Sequence, residues 1–152
     1  MQQPLSPKAR SDETNEAYEK HKKTPEFKEF KDYVKSVLNQ KPFMFLPNTF
    51  KYDKSYIFSK ERTDENVTLW IKDITKWSEL DIDNVICDML TKADPNREPL
   101  FSWFQNSVEN RSVHDISHLH VFTPSKLLIY ENDGNTTFCR IIGCTERIIN
   151  KH

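Results

Sequence analysis

Apolar residues recur every three or four positions in three segments of the first two thirds of the chain, which is the spacing of amphipathic helices. The first segment opens with Thr24 and Pro25, a helix-capping residue followed by a proline at the first helical position. Its apolar positions are Phe27, Phe30, Val34, Val37 and Leu38. This pattern predicts a helix that begins at Thr24 and buries one face.

Two further helices are predicted between residues 63 and 95. One would begin at Thr63, and its apolar positions are Val67, Trp70, Ile71, Ile74 and Trp77. The next would be capped by Ser78 or Asp81 and would end before Asp94-Pro95. Its apolar positions are Leu80, Ile82, Val85, Ile86, Met89 and Leu90. Between the first and second helices, residues 41–47 suit a short extended piece or a covering loop, and residues 55–58 suit a weak strand.

The C-terminal third changes from helical to strand patterning. The dipeptide Asp133-Gly134 lies between the apolar runs 127–130 and 137–142, which is typical of a β-hairpin. A strand over residues 113–122 precedes the hairpin, so we expect a three-stranded antiparallel meander. The predicted fold class is α+β, with N-terminal helices packed on a C-terminal antiparallel sheet of three or more strands.

The length of 152 residues suits one domain with a hydrophobic core. Residues 1–23 hold two prolines and few apolar side chains, so we expect a flexible arm or linker there. Residues 24–152 then form a single compact domain, mainly helical over 24–110 and a sheet over 111–152.

The net charge of −1 is unevenly distributed along the chain. Residues 1–60 carry a balance of +4, residues 61–110 one of −6 and residues 111–152 one of +1. An acidic middle suits a basic partner protein, although solvated helix faces would give the same balance.

The three cysteines show no C-x-x-C spacing, so we expect neither a disulfide framework nor a thiolate zinc site. No apolar run approaches the roughly 20 residues that cross a bilayer, and no signal peptide is visible. We therefore expect a soluble protein of a reducing cytoplasm, without a membrane partner and without a cofactor.

Three histidines in the segment 113–122 are the main candidates for chemistry. His114, His118 and His120 have the same parity, so a strand would project them from one face. With a pKa near neutrality, two histidines supply a proton acceptor and a proton donor without a metal. Beside a cationic side chain, such a pair could cleave RNA through its own 2′-hydroxyl and leave a 2′,3′-cyclic phosphate. The polar groups near this strand are Thr123, Ser125, Lys126, Tyr130, Arg140, Thr145 and Arg147.

Three alternatives stand beside this interpretation. The histidines could be structural and hydrogen-bonded to the backbone. His114, His118 and His120 could bind zinc in a metal hydrolase, although no acidic residue shares their face of the strand. The chain could also be a non-enzymatic binding module of the immunity or antitoxin kind, whose acidic middle meets a basic partner.

The C-terminal residues resemble the sheet of the RelE/ParE toxin superfamily, and its YafQ branch in particular. The resemblance covers residues 113–149, about a quarter of the chain. It is carried by His120-Val121, Pro124, Leu127-Leu-Ile-Tyr130, Arg140 and Gly143-Cys-Thr-Glu-Arg147. The wider barnase/EndoU/colicin/RelE group implies a metal-independent endoribonuclease of helix-plus-sheet architecture, held silent by a cognate immunity or antitoxin protein.

In this resemblance, His120 corresponds by position to the family's strand histidine and Arg140 to its strand arginine. Thr145 stands where the YafQ branch has its closing histidine. Ser125 and Lys126 replace a catalytic aspartate and a tryptophan, so His118 or His114 would have to donate the proton. The expected catalytic set is His118, His120, Arg140 and Thr145, and the expected substrate-binding set is His114, Thr123, Ser125, Lys126, Tyr130 and Arg147.

The long helical half exceeds that of small RelE-type toxins and resembles a delivered toxin domain. The resemblance therefore implies the C-terminal domain of a contact-dependent growth inhibition or other polymorphic toxin. Such a domain would act on transfer RNA, or on messenger RNA, in the bacterial cytoplasm of a producing or target cell. A translation factor that presents the RNA is a further expected partner.

Overall fold

The computed structural model describes residues 10–48, 58, 64–105, 116–134, 136–142 and 148–150. They form an α+β fold with three α-helices and seven strands, which confirms the predicted class. The helices are α1 (Asp12–His21), α2 (Pro25–Leu38) and α3 (Glu79–Ala93), with a 3₁₀ turn at Ile74–Lys76. The strands are β1 (Phe43–Pro47), β2 (Glu65–Ile71), β3 (Ser102–Phe104), β4 (Ser117–Thr123), β5 (Leu128–Asp133), β6 (Thr136–Ile141) and β7 (Ile148–Asn150).

Helices α2 and α3 form where their caps and apolar spacing predicted them. Thr24 is the N-cap of α2, and Pro25 is its first residue. Helix α3 has a full capping box, because the Ser78 hydroxyl accepts from the Asp81 N–H and the Asp81 carboxylate accepts from the Ser78 N–H. Part of the segment predicted as an arm is helix α1, in which no residue is buried.

The helix predicted from Thr63 is wrong, because residues 65–71 form strand β2 instead. Val67, Leu69 and Ile71 face one apolar cluster, whereas Trp70 faces another. Val67, Trp70 and Ile71 are three and four positions apart, which is helical spacing, although Trp70 lies on the opposite side of the strand from the other two. The predicted extended piece at 41–47 contains strand β1. Most of the weak strand predicted at 55–58 lies outside the described residues.

The strands form two antiparallel sheets, with strand orders β1-β2-β4-β3 and β5-β6-β7. The β5-β6 hairpin confirms the Asp133-Gly134 prediction, and Gly134 has the positive φ of 64° that favours glycine in a turn. The predicted meander is wrong, because β4 pairs with β2 and β3 rather than with β5. The histidine strand therefore lies inside a four-stranded sheet that β1, β2 and β3 help to build.

The four-stranded sheet is the middle layer of the molecule. Its first face packs against α3 and the β5-β6 hairpin, in a cluster that includes Leu69, Leu119, Ile86 and Ile141. Its second face packs against α2, in a cluster that includes Val34, Leu46 and Trp70. Side chains alternate along each strand, so even-numbered residues of β2 and β4 lie on the α2 side. Every helix among the described residues is too short or too polar to span a lipid bilayer.

Candidate functional site on the four-stranded sheet

His118 and His120 lie on the same face of β4, as their parity predicted. Their ring centroids are 5.4 Å apart and their planes are nearly perpendicular, at 88°. The face that carries them, called the histidine face below, is the second face of the four-stranded sheet. Both residues are buried, with only 6% and 7% of their surfaces exposed. The third candidate, His114, lies outside the described residues.

Aromatic rings from the two neighbouring strands pack against the imidazoles of His118 and His120. Trp70 of β2 is the register partner of His118, and their ring centroids are 4.6 Å apart. Phe104 of β3 is the register partner of His120, at 5.1 Å between ring centroids. The Nδ1 atom of His118 lies 3.1 Å from the backbone oxygen of Ile116, within hydrogen-bonding distance in the tautomer that protonates Nδ1. The orientation of both rings is thus fixed by packing.

The environment of His120 keeps its imidazole neutral. The pKa of His120 is lowered to about 3, mainly because burial disfavours the charged form and to a lesser extent because of the charges of His118 and Arg10. The effect of Arg10 places a guanidinium charge near the histidine face. At neutral pH His120 therefore serves as a neutral hydrogen-bonding group and not as a proton donor of the imidazolium kind.

Three further polar side chains share the histidine face, and we call them the polar row. Asn66 and Thr68 belong to β2 and Ser102 belongs to β3, and their exposed fractions are 1%, 6% and 1%. Among the described residues, the amide oxygen and nitrogen of Asn66 and the hydroxyl of Ser102 have no hydrogen-bond partner. Burying such groups without a partner costs free energy, so each one calls for an explanation such as a ligand or an ordered water.

Sequence reasoning missed the polar row because it assigned β2 to a helix and did not predict β3. The sequence does contain a strand signal there, because polar and apolar residues alternate in Asn66-Val67-Thr68-Leu69. On a strand, this alternation places Asn66 and Thr68 together on one face.

The structure does not bring Arg140 together with the histidines. Arg140 lies on β6, where its guanidinium donates to the Glu131 carboxylate over 2.9 Å. Its neighbours Cys139 and Ile141 face the cluster on the first face of the four-stranded sheet, so Arg140 points away from that sheet. The four-stranded sheet therefore separates Arg140 from His120.

The expected substrate-binding residues are likewise dispersed. Thr123 is fully buried and structural, because its hydroxyl donates to the Leu100 carbonyl over 2.7 Å and accepts from the Ser125 N–H. Ser125 is buried and Lys126 is exposed. Tyr130 lies on β5 of the other sheet, where burial of part of the side chain raises the pKa of its phenol. Thr145 and Arg147 lie outside the described residues.

The histidine pair has no third metal ligand in the part of the chain that the structure describes. No group of three or more His, Cys, Asp or Glu side chains is placed there to hold a metal ion. The arrangement on the histidine face is therefore one of hydrogen-bonding and aromatic groups.

A family model described as "Protein of unknown function (DUF3605)" matches residues 55–124. Comparisons with curated proteins and with solved structures gave no match. The matched segment contains β2, α3, β3 and β4, and so it contains both histidines and the whole polar row. It stops before the hairpin that carries Arg140. The chain is thus similar to this family over residues 55–124, a segment that includes three of the four strands of the histidine face.

Proposed function

We propose that this chain is a small-molecule-binding domain whose site is the histidine face. The observation that carries the proposal is the pair of buried side chains Asn66 and Ser102, whose hydrogen-bonding groups have no partner among the described residues. Ligand pockets are typically apolar and aromatic, with a few polar groups that orient the ligand. The histidine face has this composition, because Trp70, Phe104 and Phe122 surround the polar groups.

The burial of the site favours a small ligand over a polynucleotide. An RNA-cleaving site must receive a phosphodiester that is part of a long chain, so its acid and base need an open surface. His118 and His120 are more than nine-tenths buried. Side chains buried to this degree suit a molecule that can be surrounded on most sides.

Polar groups that are kept for ligand binding reduce the stability of the ligand-free protein. Replacement of Asn66 by leucine, which has a similar size, should raise the free energy of unfolding of the ligand-free protein by about 1–2 kcal/mol. The reason is that the buried amide loses its hydration without gaining partners within the described chain. Chemical denaturation of the purified protein measures the change.

Thr123→Val provides the matched control in the same sheet. Thr123 is just as buried, but its hydroxyl has partners on both sides, so this change should destabilise the fold by about 1–3 kcal/mol. A clear loss of stability in Asn66→Leu, equal to that of Thr123→Val, would mean that the chain itself satisfies the amide. The site would then be structural.

Binding itself is measured by nuclear magnetic resonance. A screen of small neutral sugars, amides and nucleobases should give a compound that shifts the imidazole signals of His118 and His120. The shift should be lost in Asn66→Leu and kept in Leu80→Ala, since Leu80 is 67% exposed on α3. A screen in which every compound leaves both imidazoles unshifted contradicts the proposal.

Ribonuclease activity, which the resemblance implies, stays a prediction. Expression of the same chain in bacteria tests it. The feature in its favour is the histidine pair on one face, with the charge of Arg10 nearby. If the activity exists, the wild-type chain should arrest growth and leave RNA fragments with cyclic phosphate ends, and His120→Ala should abolish both effects. Intact RNA and normal growth would instead favour the binding domain. The partners predicted together with this activity are transfer RNA, an immunity protein and a translation factor, and they stay predictions as well.

A further inference from the structure

An open recess lies beside the first two turns of α3, on the other side of the four-stranded sheet from the histidine face. Its volume is about 290 Å³, and its lining residues are Lys76, Trp77, Asp81, Asn84 and Val85. We infer that this recess binds one uncharged sugar ring of the pyranose type. The inference goes beyond the function proposed above and does not rest on it.

The size and openness of the recess suit a single ring. Pockets for drug-sized ligands have volumes of about 300–1,000 Å³. The volume of about 290 Å³ lies at the lower end of this range. The polar lining residues Lys76, Asp81 and Asn84 are exposed, so a ligand reaches them without any movement of the core.

The apolar part of the recess is formed by Trp77 and Val85. Both side chains are half-buried and pack against the cluster on the first face of the four-stranded sheet. Phe43 meets the indole of Trp77 edge-on, at 5.5 Å between ring centroids and an interplanar angle of 86°. Because the indole is already held by this contact, it loses little freedom when a ligand binds. One side of a pyranose ring presents mainly C–H groups, which pack on an aromatic surface of this kind.

The polar rim of the recess offers three different hydrogen-bonding roles. The Lys76 ammonium only donates, the Asp81 carboxylate only accepts, and the Asn84 amide does both. The capping box of α3 uses the Oδ2 atom of Asp81. Each hydroxyl of a sugar both donates and accepts, so neighbouring hydroxyls on one ring match this mixed rim.

The charges on the rim favour an uncharged ligand. Lys76 and Asp81 carry opposite charges, and the Lys76 ammonium also lies 3.8 Å from the Asp73 carboxylate. An ionic ligand would therefore meet a like charge beside an opposite one. A neutral ligand with several hydroxyls makes hydrogen bonds to both side chains and meets no repulsion.

Asn84 is an unfavourable residue for its position in the helix. It lies inside α3, where it is exposed and is neither a cap nor part of the core. Asparagine is a poorer helix former than alanine, because its side chain competes for backbone hydrogen bonds. Asn84→Ala should therefore raise the melting temperature by about 1–3 °C. A role in binding explains why the less stable residue is present.

The test titrates the full chain with glucose, galactose, mannose and N-acetylglucosamine and follows the Trp77 indole N–H signal by nuclear magnetic resonance. At least one sugar should shift this signal with a dissociation constant below about 20 mM, since a single ring makes few contacts. Sorbitol, which has the hydroxyls but no ring, should leave the signal unshifted. The affinity should be the same at low and high salt, because an uncharged ligand is not screened.

Variants place the binding at the recess. Asn84→Ala should weaken it about three- to tenfold, as expected for the loss of a hydrogen bond. Asn15→Ala is the matched control, because it makes the same change at an exposed position inside α1, and it should leave the affinity unchanged. Trp77→Ala should abolish binding when the signals of the sugar are observed. The asparagine variant keeps the test valid if the tryptophan variant does not fold.

Three results would each overturn the inference. They are an unshifted Trp77 signal with all four sugars, an equal shift with sorbitol, and equal affinities in Asn84→Ala and Asn15→Ala. The methyl glycoside of the sugar that binds distinguishes the source of the ring. Loss of binding indicates a free sugar, whereas retained binding indicates a ring that a glycan chain can carry, and both results support a sugar site.

Discussion

Lowering the pH from 7 to 4 should cost the folded chain about 3 kcal/mol through His120 alone. The pKa of this imidazole falls from 6.5 in the unfolded chain to about 3 in the folded one. Between these two values the unfolded chain binds a proton that the folded chain rejects. The stabilising contribution is therefore complete above pH 6.5 and is lost progressively as the pH falls toward 3.

A variant without the titrating group isolates this contribution. His120→Leu should flatten the dependence of the unfolding free energy on pH between 6.5 and 4, whatever its effect on stability at pH 7. Carboxylates also titrate in the lower part of this range, but they are common to both proteins. Denaturation curves at several pH values measure the difference in slope. Parallel pH profiles for the two proteins would mean that His120 is hydrated or charged in the fold.

Leu119→Ala should destabilise the fold by about 2–5 kcal/mol, a loss expected when a large aliphatic side chain is removed from a core. Leu119 is fully buried and lies between the two histidines in sequence, but its side chain faces the opposite side of β4. It packs in the cluster that joins the four-stranded sheet to α3 and the hairpin. The cavity left by alanine would thus loosen the contact between these layers.

Leu80→Ala is the matched control, because the same side chain is removed at a position that is 67% exposed. Its effect should stay within about 0.5 kcal/mol, as is usual for surface substitutions. Thermal and chemical denaturation compare the two variants directly. If Leu119→Ala were as mild as Leu80→Ala, the placement of β4 at the centre of the molecule would be wrong.

Local signals explain the elements that the sequence could predict. Helices α2 and α3 are marked by caps next to a periodic apolar face, and the hairpin is marked by Asp133-Gly134. All these features act within a few residues, so they can be read from one sequence. Strand β2 has no comparable marker. Its side chains are buried on both sides because two layers cover the sheet, and that is a property of the assembled fold.

The candidate site was predictable only in part, for the same reason. The common face of His118 and His120 follows from parity within one strand. The proximity of Asn66 and Ser102 to Phe122 follows from strand pairing across 56 and 20 residues, as the register shows. Similarly, Arg140 was expected beside the histidines because β4 was assumed to pair with the hairpin. Only the observed strand order reveals that the sheet separates them.

The strand order β1-β2-β4-β3 has a consequence for how the chain folds during synthesis. Strand β3 pairs only with β4 in the described sheet, so it has no neighbour until residues 117–123 have left the ribosome. Until then one edge of β2 also stays open, and an exposed apolar edge invites pairing with another chain. Nascent chains that end before residue 117 should therefore aggregate or recruit chaperones, and the insertion of β4 should be the step that ends this risk.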